Sequence, residues 1–213
     1  MNTNYKDIDG YKWKDSSVEE AHDYILPKVQ ELIFEFKSKT DRNLKVFDLG
    51  CGNGAAAHQI SQLGFDVIGV DPSQEGISIA NQSFPHLTLQ QGSAYDDLTS
   101  KFGTFDIVIS LEVVEHVYAP RVYAKNLHGL VKKNGIAIIS TPFHGYWKNL
   151  AIAAVGGFDK HFTALWDHGH IKFWSIKTLT QLLTEAGFSR ISFYRVGRIP
   201  LLAKSMIAVC HKD

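Results

Sequence analysis

The stretch KVFDLGCGNG, Lys45 to Gly54, decides the fold of this chain. Its first half is an apolar run of strand length, and its second half places three glycines, Gly50, Gly52 and Gly54, at alternate positions. The next residues, AAAHQISQLG, have high helix propensity and stop at Gly64. Strand, glycine turn and helix make the opening of a βαβ unit, and the pattern repeats downstream. DVIGVD reads as a second strand, and SQEGISIANQSF as the helix after it. LTLQQGS, FDIVIS and GIAIIST supply three more strands, with a helix over APRVYAKNLHGLVK. SIKTLTQLLTEAG is a helix closed by Gly187, and FSRISFYRV and SMIAVCHK are the last two strands, separated by GRIP.

Continuous apolar strands alternating with helices predict a parallel sheet covered on both faces. The expected fold is α/β, doubly wound, with a mostly parallel seven-stranded sheet. The last strand is antiparallel, because only a short link joins it to its predecessor and the two should form an edge hairpin. Residues 1–213 read as one domain. Residues 1–43 are a helical lead-in, in which SSVEEAHDYILPKVQELIFEF has Ser16 or Ser17 as N-cap and Glu19 or Glu20 as capping-box partner. Pro27 should kink or divide that helix. Residues 143–174 lie between a strand and a helix, where a few residues would suffice, and read as a lid or substrate wall. This insertion carries FHGYW, DKHF and LWDHGH, with NLAIAAVGGF as an apolar wall.

Acidic and basic residues balance at 22 each, which gives no global electrostatic reason to bind nucleic acid or an anionic membrane. No run approaches the ~18 apolar residues of a membrane span, and the first residues do not read as a signal peptide. Two cysteines, Cys51 and Cys210, do not suggest a disulfide scaffold, so a reduced cytoplasmic setting is expected. Four of the ten histidines, His144, His161, His168 and His170, fall close together. Metal or pH sensitivity should concentrate there.

Ligands of open α/β sheets bind at the carboxyl ends of the strands. Here the glycine loop ends the first strand, and Asp71 ends the second at the ~20-residue spacing of an acid that accepts ribose hydroxyls. A dinucleotide loop would want a third glycine where Ala55 stands. Asp48, two residues before the first glycine, would repel a pyrophosphate but favour a cationic ligand with an amino group. S-adenosyl-L-methionine (SAM), with its sulfonium and ammonium, suits it.

By DLGCGNG, the acid of VIGVDPS, GSAYDD and FDIVISLEVVEHV, the chain resembles the class I SAM-dependent methyltransferases over Leu44 to Asp213. The resemblance implies that Asp48, Gly50 and Gly52, in a loop completed by Gly54, hold the methionyl end. Asp71 would take the ribose, and Ser93 and Ala94 would flank the adenine. It also implies that the N-terminal helix, with His22 and Tyr24, closes over the cofactor, His22 itself reading as a surface residue.

EVVEHV, Glu112 to Val117, follows the fourth strand. Read as the opening of a helix, it would put Glu112, Glu115 and His116 on one face, as a salt-bridged surface, a general-base site or a metal site. Together with WDHGHIKFWS downstream, it resembles the ubiquinone-biosynthesis O-methyltransferases and the small-RNA terminal 2′-O-methyltransferases. That resemblance implies catalytic and metal-ligating roles for Glu112, Glu115 and His116. His170 is implied as the fourth ligand and His168 as its competitor, around Mg²⁺, Mn²⁺ or Zn²⁺. Both groups methylate one oxygen of a vicinal diol. The expected partner is therefore a small, aromatic acceptor, with no nucleic acid and no membrane insertion. The alternatives are RNA terminal 2′-O-methylation, which needs a basic track for phosphates, a nicotinamide oxidoreductase, which Asp48 and Ala55 oppose, and a methyltransferase fold without catalysis.

Overall fold

The computed structural model describes residues 13, 15–18, 20–40, 42–166 and 169–213. In chain order the elements are α1 (His22–Lys37), β1 (Lys45–Leu49), α2 (Ala55–Ser61), β2 (Asp66–Asp71), α3 (Gln74–Ser83), β3 (Thr88–Gln91), α4 (Leu98–Phe102) and β4 (Phe105–Leu111). They continue with α5 (Pro120–Leu130), β5 (Val131–Pro142), α6 (Tyr146–Ala154), α7 (Phe158–Phe162), α8 (Ile176–Glu185), β6 (Ser189–Val196) and β7 (Ser205–His211), with a 3₁₀ turn at Pro200–Leu202.

The strands form one seven-stranded sheet in the order β3-β2-β1-β4-β5-β7-β6. β1 to β5 run parallel, and β7 pairs antiparallel with both β5 and β6. The edge hairpin is therefore present, with its second strand on the inside. Alternate residues of each strand point to opposite faces, and two separate cores result. Phe47, Val108, Ala137 and Ala208 face α5 and α8, where Leu127, Leu179 and Leu183 pack on them. Val46, Ile107, Ile138 and Ile207 face the other way, against Ile25, Val29 and Ile33 of α1 and Ala57 and Ile60 of α2. Strands covered on both faces must be apolar throughout, and every residue of β4 is buried.

The helix predicted from Ser16 or Ser17 begins later. Its N-cap is Ala21, with no side-chain cap, and Pro27 sits inside a single unbroken helix. The serine segment is engaged elsewhere, since the Asn53 side-chain amide donates to the carbonyls of Asp15 and Ser17, both at 2.9 Å. The lead-in is thus tied to the glycine loop. α8 starts as expected, with a capping box between Ser175 and Thr178. Strand order reverses between β1 and β4, so their carboxyl ends flank the crevice where an open sheet binds ligands.

Candidate active site

The loop after β1 is built from backbone contacts that only glycine permits. The Gly50 and Cys51 amides donate to the Val70 carbonyl at 2.8 and 3.0 Å, fastening the loop to β2. Gly50 has φ +90, and a Cβ there would run into the Val113 side chain beyond β4. Gly52, at φ +51, is covered by the Trp13 ring in the same way. The Asp71 carboxylate braces this turn. Its Oδ2 accepts from the Gly52 amide at 2.9 Å and its Oδ1 from the Ser73 amide at 2.8 Å.

A cavity of about 1100 Å³ opens at this end of the sheet. Asp48, Gly50, Gly52 and Asp71 line one side of it, with Gly92 and Ala94 from the loop after β3. Asp48 is 1% exposed, and its Oδ2 has no hydrogen-bond partner. Burial, with the charge of Asp71 adding to it, raises the Asp48 carboxyl to about 8. A buried carboxyl with an orphan oxygen beside a cavity fits a cationic group of a ligand. Gly54 stands off the cavity as the residue before α2, at φ +80. Ser93 is not among the lining residues, and its hydroxyl accepts from the Tyr95 amide at 3.0 Å. His22, expected at the surface, is 9% exposed and lines the cavity with Tyr24, because the lead-in folds over the loop.

The EVVEHV stretch is a turn and not a helix. The His116 amide donates to the Val113 carbonyl at 2.9 Å, and α5 begins only at Pro120. Glu112 enters the turn at φ +55, a conformation that opposes helix initiation. Ser140 of β5 holds it there. The Glu112 amide donates to Ser140 Oγ at 2.9 Å, and that hydroxyl donates to Glu112 Oε1 at 2.8 Å.

The turn is clamped from its far side by the end of the insertion. The Ile171 and Lys172 amides donate to the Glu115 carbonyl at 3.0 and 2.9 Å, and the Trp174 indole N–H donates to the Val114 carbonyl at 3.0 Å. This docking brings His170 to Glu115, with Nε2 3.9 Å from Oε1. Glu115, His116 and His170 each offer a ligand-type atom, all within 4.8 Å of one another. Glu112 is outside that group. Glu115 is 1% exposed, and neither of its carboxylate oxygens has a hydrogen-bond partner. Its pKa is raised well above the carboxylate range, by burial first and then by Glu112. Burial and then the charge of His116 push His170 down to about 4. A buried carboxyl without donors facing two imidazoles suits a divalent cation chemically. His168 lies outside the described residues.

The insertion forms the remaining wall. His144 stacks on Phe162 with centroids 5.9 Å apart, and Phe173 meets both edge-on, at 5.1 Å from His144 and 5.0 Å from Phe162. Trp166 approaches His170 at 5.4 Å. Of the segment read as a lid or substrate wall, His144, Phe162, Trp166 and Phe173 line the cavity as an aromatic wall. The sequence reading missed Ser140, Trp13 and Asn53. Their partners are distant in sequence, and no local pattern marks them.

Residues 18–192 match a family described as a methyltransferase domain. The ubiquinone biosynthesis O-methyltransferase of Bradyrhizobium diazoefficiens is 39% identical over 115 residues, covering 53% of this chain and 45% of that protein. The enzyme of the same name from Cereibacter sphaeroides is 30% identical over 154 residues, 70% of this chain and 62% of that one. The chain spans about half the length of the curated relatives it matches. Among solved structures, magnesium protoporphyrin IX methyltransferase of Synechocystis PCC 6803, with bound SAH, superposes with a TM-score of 0.67 at 19% identity, over 89% of this chain and 84% of that one. The methyltransferase domain of bacterial CtHen1-CN superposes with a TM-score of 0.63 at 21% identity, over 86% and 97%. At these identities the structural likeness speaks for the fold alone.

Proposed function

The chain belongs to the SAM-dependent methyltransferases, and on that footing we propose that it methylates one oxygen of a small, catechol-like acceptor with vicinal hydroxyls, assisted by a divalent cation. The observation that carries the reading is the cluster of Glu115, His116 and His170 beside the cavity that the glycine loop lines. The name shared by the curated relatives favours an oxygen acceptor and a quinone precursor. A reduced cytoplasmic setting belongs to the same proposal.

SAM fits the glycine-loop side, where Asp48 would meet the ammonium and Asp71 the ribose hydroxyls. When bound, it supplies a methyl group on a sulfonium. Glu115, His116 and His170 would hold the cation, with Glu112 on the same turn. When bound, the cation lowers the pKa of a coordinated hydroxyl. A mixed carboxylate–imidazole set suits Mn²⁺, Zn²⁺ or Fe²⁺ at least as well as Mg²⁺. The protein's own contribution is positional. The turn, clamped between Ser140 and the 171–174 segment, fixes its side chains before substrate arrives, and orientation alone can supply ~7–11 kcal/mol of a barrier. The aromatic wall excludes water from the reacting atoms.

The test is a calorimetric titration of Mn²⁺, then Mg²⁺, into protein saturated with S-adenosylhomocysteine, with Glu115→Gln as control. One equivalent of saturable binding in the wild type, lost in the variant, is the expected result. No binding of either ion, repeated with a catechol present, would remove the metal from the mechanism.

A further inference from the structure

The wall of the cavity opposite the glycine loop carries two cations, Lys148 and Arg198, that form no ion pair among the described residues. Lys148, in the first turn of α6, is half-buried and lines the cavity. Its ammonium donates to the Phe143 carbonyl at 2.9 Å and, more weakly, to the Lys204 carbonyl at 3.4 Å. An ammonium has three donors, so one is left over, and no carboxylate among the described residues forms an ion pair with it. Arg198 lines the same cavity from the turn after β6, and among the described residues its guanidinium makes no hydrogen bond or ion pair. Lys204, also in this wall, is paired with Glu20 at 3.2 Å. The nearest acid on the reacting side is Glu112, whose Oε1 accepts from Ser140.

Lys148 is half-buried and Arg198 exposed at the cavity edge; the two like charges repel each other, and the charge of Glu112 offsets this in part at Lys148. Burial, and then the charge of Arg198, lower the Lys148 pKa, with the charge of Glu112 acting against them. An anionic group of a ligand placed between them would relieve that repulsion and take the remaining donors. The cofactor side already has its own acids, Asp48 and Asp71, on the opposite wall. Lys148 comes instead from the insertion and Arg198 from the β6–β7 connection, the elements that also carry or border the aromatic wall of His144, Phe162 and Phe173.

We propose that Lys148 and Arg198 form an oxyanion subsite of the acceptor pocket, so that the acceptor is an aromatic diol bearing a carboxylate. The inference rests on the catechol-like reading above and narrows it: the ring lies along the aromatic wall, the diol points to the 112–116 turn, and the carboxylate reaches Lys148 and Arg198. Charge-assisted hydrogen bonds of this kind discriminate strongly against a neutral isostere, which leaves the cations unpaired.

Two measurements test it. In turnover, protocatechuate and its methyl ester are compared by kcat/KM in the wild type, Lys148→Met and Arg198→Gln. The acid should be preferred about tenfold or more in the wild type, and the ratio should fall toward one in each variant. In binding, benzoate and benzamide are titrated into protein saturated with S-adenosylhomocysteine, which reads the subsite without any methylation. Benzoate alone should bind, and Lys148→Met should abolish it. Turnover of both diols with no preference for the acid would overturn the oxyanion subsite and leave the catechol reading standing. Benzoate binding that depends on Lys148, with neither diol methylated, would sustain the subsite and sink the catechol reading. Loss of S-adenosylhomocysteine affinity in Lys148→Met would also overturn the proposal, by assigning the cation to the cofactor's own carboxylate.

Discussion

On the proposed reading, Asp48 couples a ligand to a proton. Burial raises its carboxyl to about 8, so at neutral pH the free protein holds it mostly protonated. An ammonium is bound by the carboxylate and not by the acid, so binding must release that proton. S-adenosylhomocysteine affinity should therefore rise with pH up to about 8, by at most ~10-fold per unit, and then level. Calorimetry in buffers of different ionisation enthalpy would detect the released proton. Asp48→Asn should bind weakly and without pH dependence, and a wild-type affinity that is flat with pH would contradict the assignment. The position of this residue was legible in the sequence, because an acid two places before a glycine loop must lie at the carboxyl end of the first strand. Ser140 was not, since its contact with Glu112 spans 28 residues and depends on β4 and β5 being neighbours.

At the scale of elements, the site depends on one irregular segment docking onto another. The turn after β4 has no helix to hold it, and the irregular segment 171–174 takes that place through three hydrogen bonds. The periodicity of EVVEHV suggested a helix because the i, i+3, i+4 spacing is common to helices and tight turns. The left-handed Glu112 and the late start of α5 decide between them. The pairing of His170 with Glu115 was visible only as a resemblance, because the distance between them is set by how the insertion folds back. Trp174 is 9% exposed, and its indole N–H is the innermost of the three bonds. Trp174→Phe keeps most of the packing and removes that bond. It should cost about 1–2 kcal/mol of stability, and Mn²⁺ affinity should fall because two of the three bonds remain and His170 is held to the turn less firmly. S-adenosylhomocysteine affinity should stay as it was. Chemical denaturation together with the two titrations would separate these effects. Unchanged metal affinity would mean that the 171–174 segment does not position the ligands.

For the molecule as a whole, carboxylates at two ends of the sheet pull stability in opposite directions with pH. Asp106 joins β1, β4 and β5 at the end of the sheet away from the glycine loop. Its Oδ2 accepts from the Lys45 amide at 3.0 Å and from the Lys132 ammonium at 2.9 Å. Burial works against its charge, but these partners outweigh it and hold the pKa below the usual value. The folded state therefore binds that proton less tightly than the unfolded chain, and the stability from Asp106 is lost as pH falls through the acid range. Asp48 has the reverse sign. Its folded pKa, about 8, lies above the unfolded value of ~3.9, so the folded state holds a proton that the unfolded chain has released. Its contribution is full below the unfolded value and is lost progressively as pH rises toward 8, at no more than ~1.4 kcal/mol per pH unit. Denaturation curves of the ligand-free protein across this range should thus show stability declining from mildly acidic to mildly alkaline pH. Asp48→Asn should flatten the decline and gain most in stability at the alkaline end. Asp106→Asn should leave the alkaline decline in place and lower stability at neutral pH. Saturating S-adenosylhomocysteine should remove the Asp48 share of the decline in the wild type, because an ammonium replaces the proton. Glu115, raised by burial too, contributes a decline of the same sign, so the test is the difference: a decline equally steep in Asp48→Asn and in the wild type would remove the physical basis for placing a cation beside Asp48.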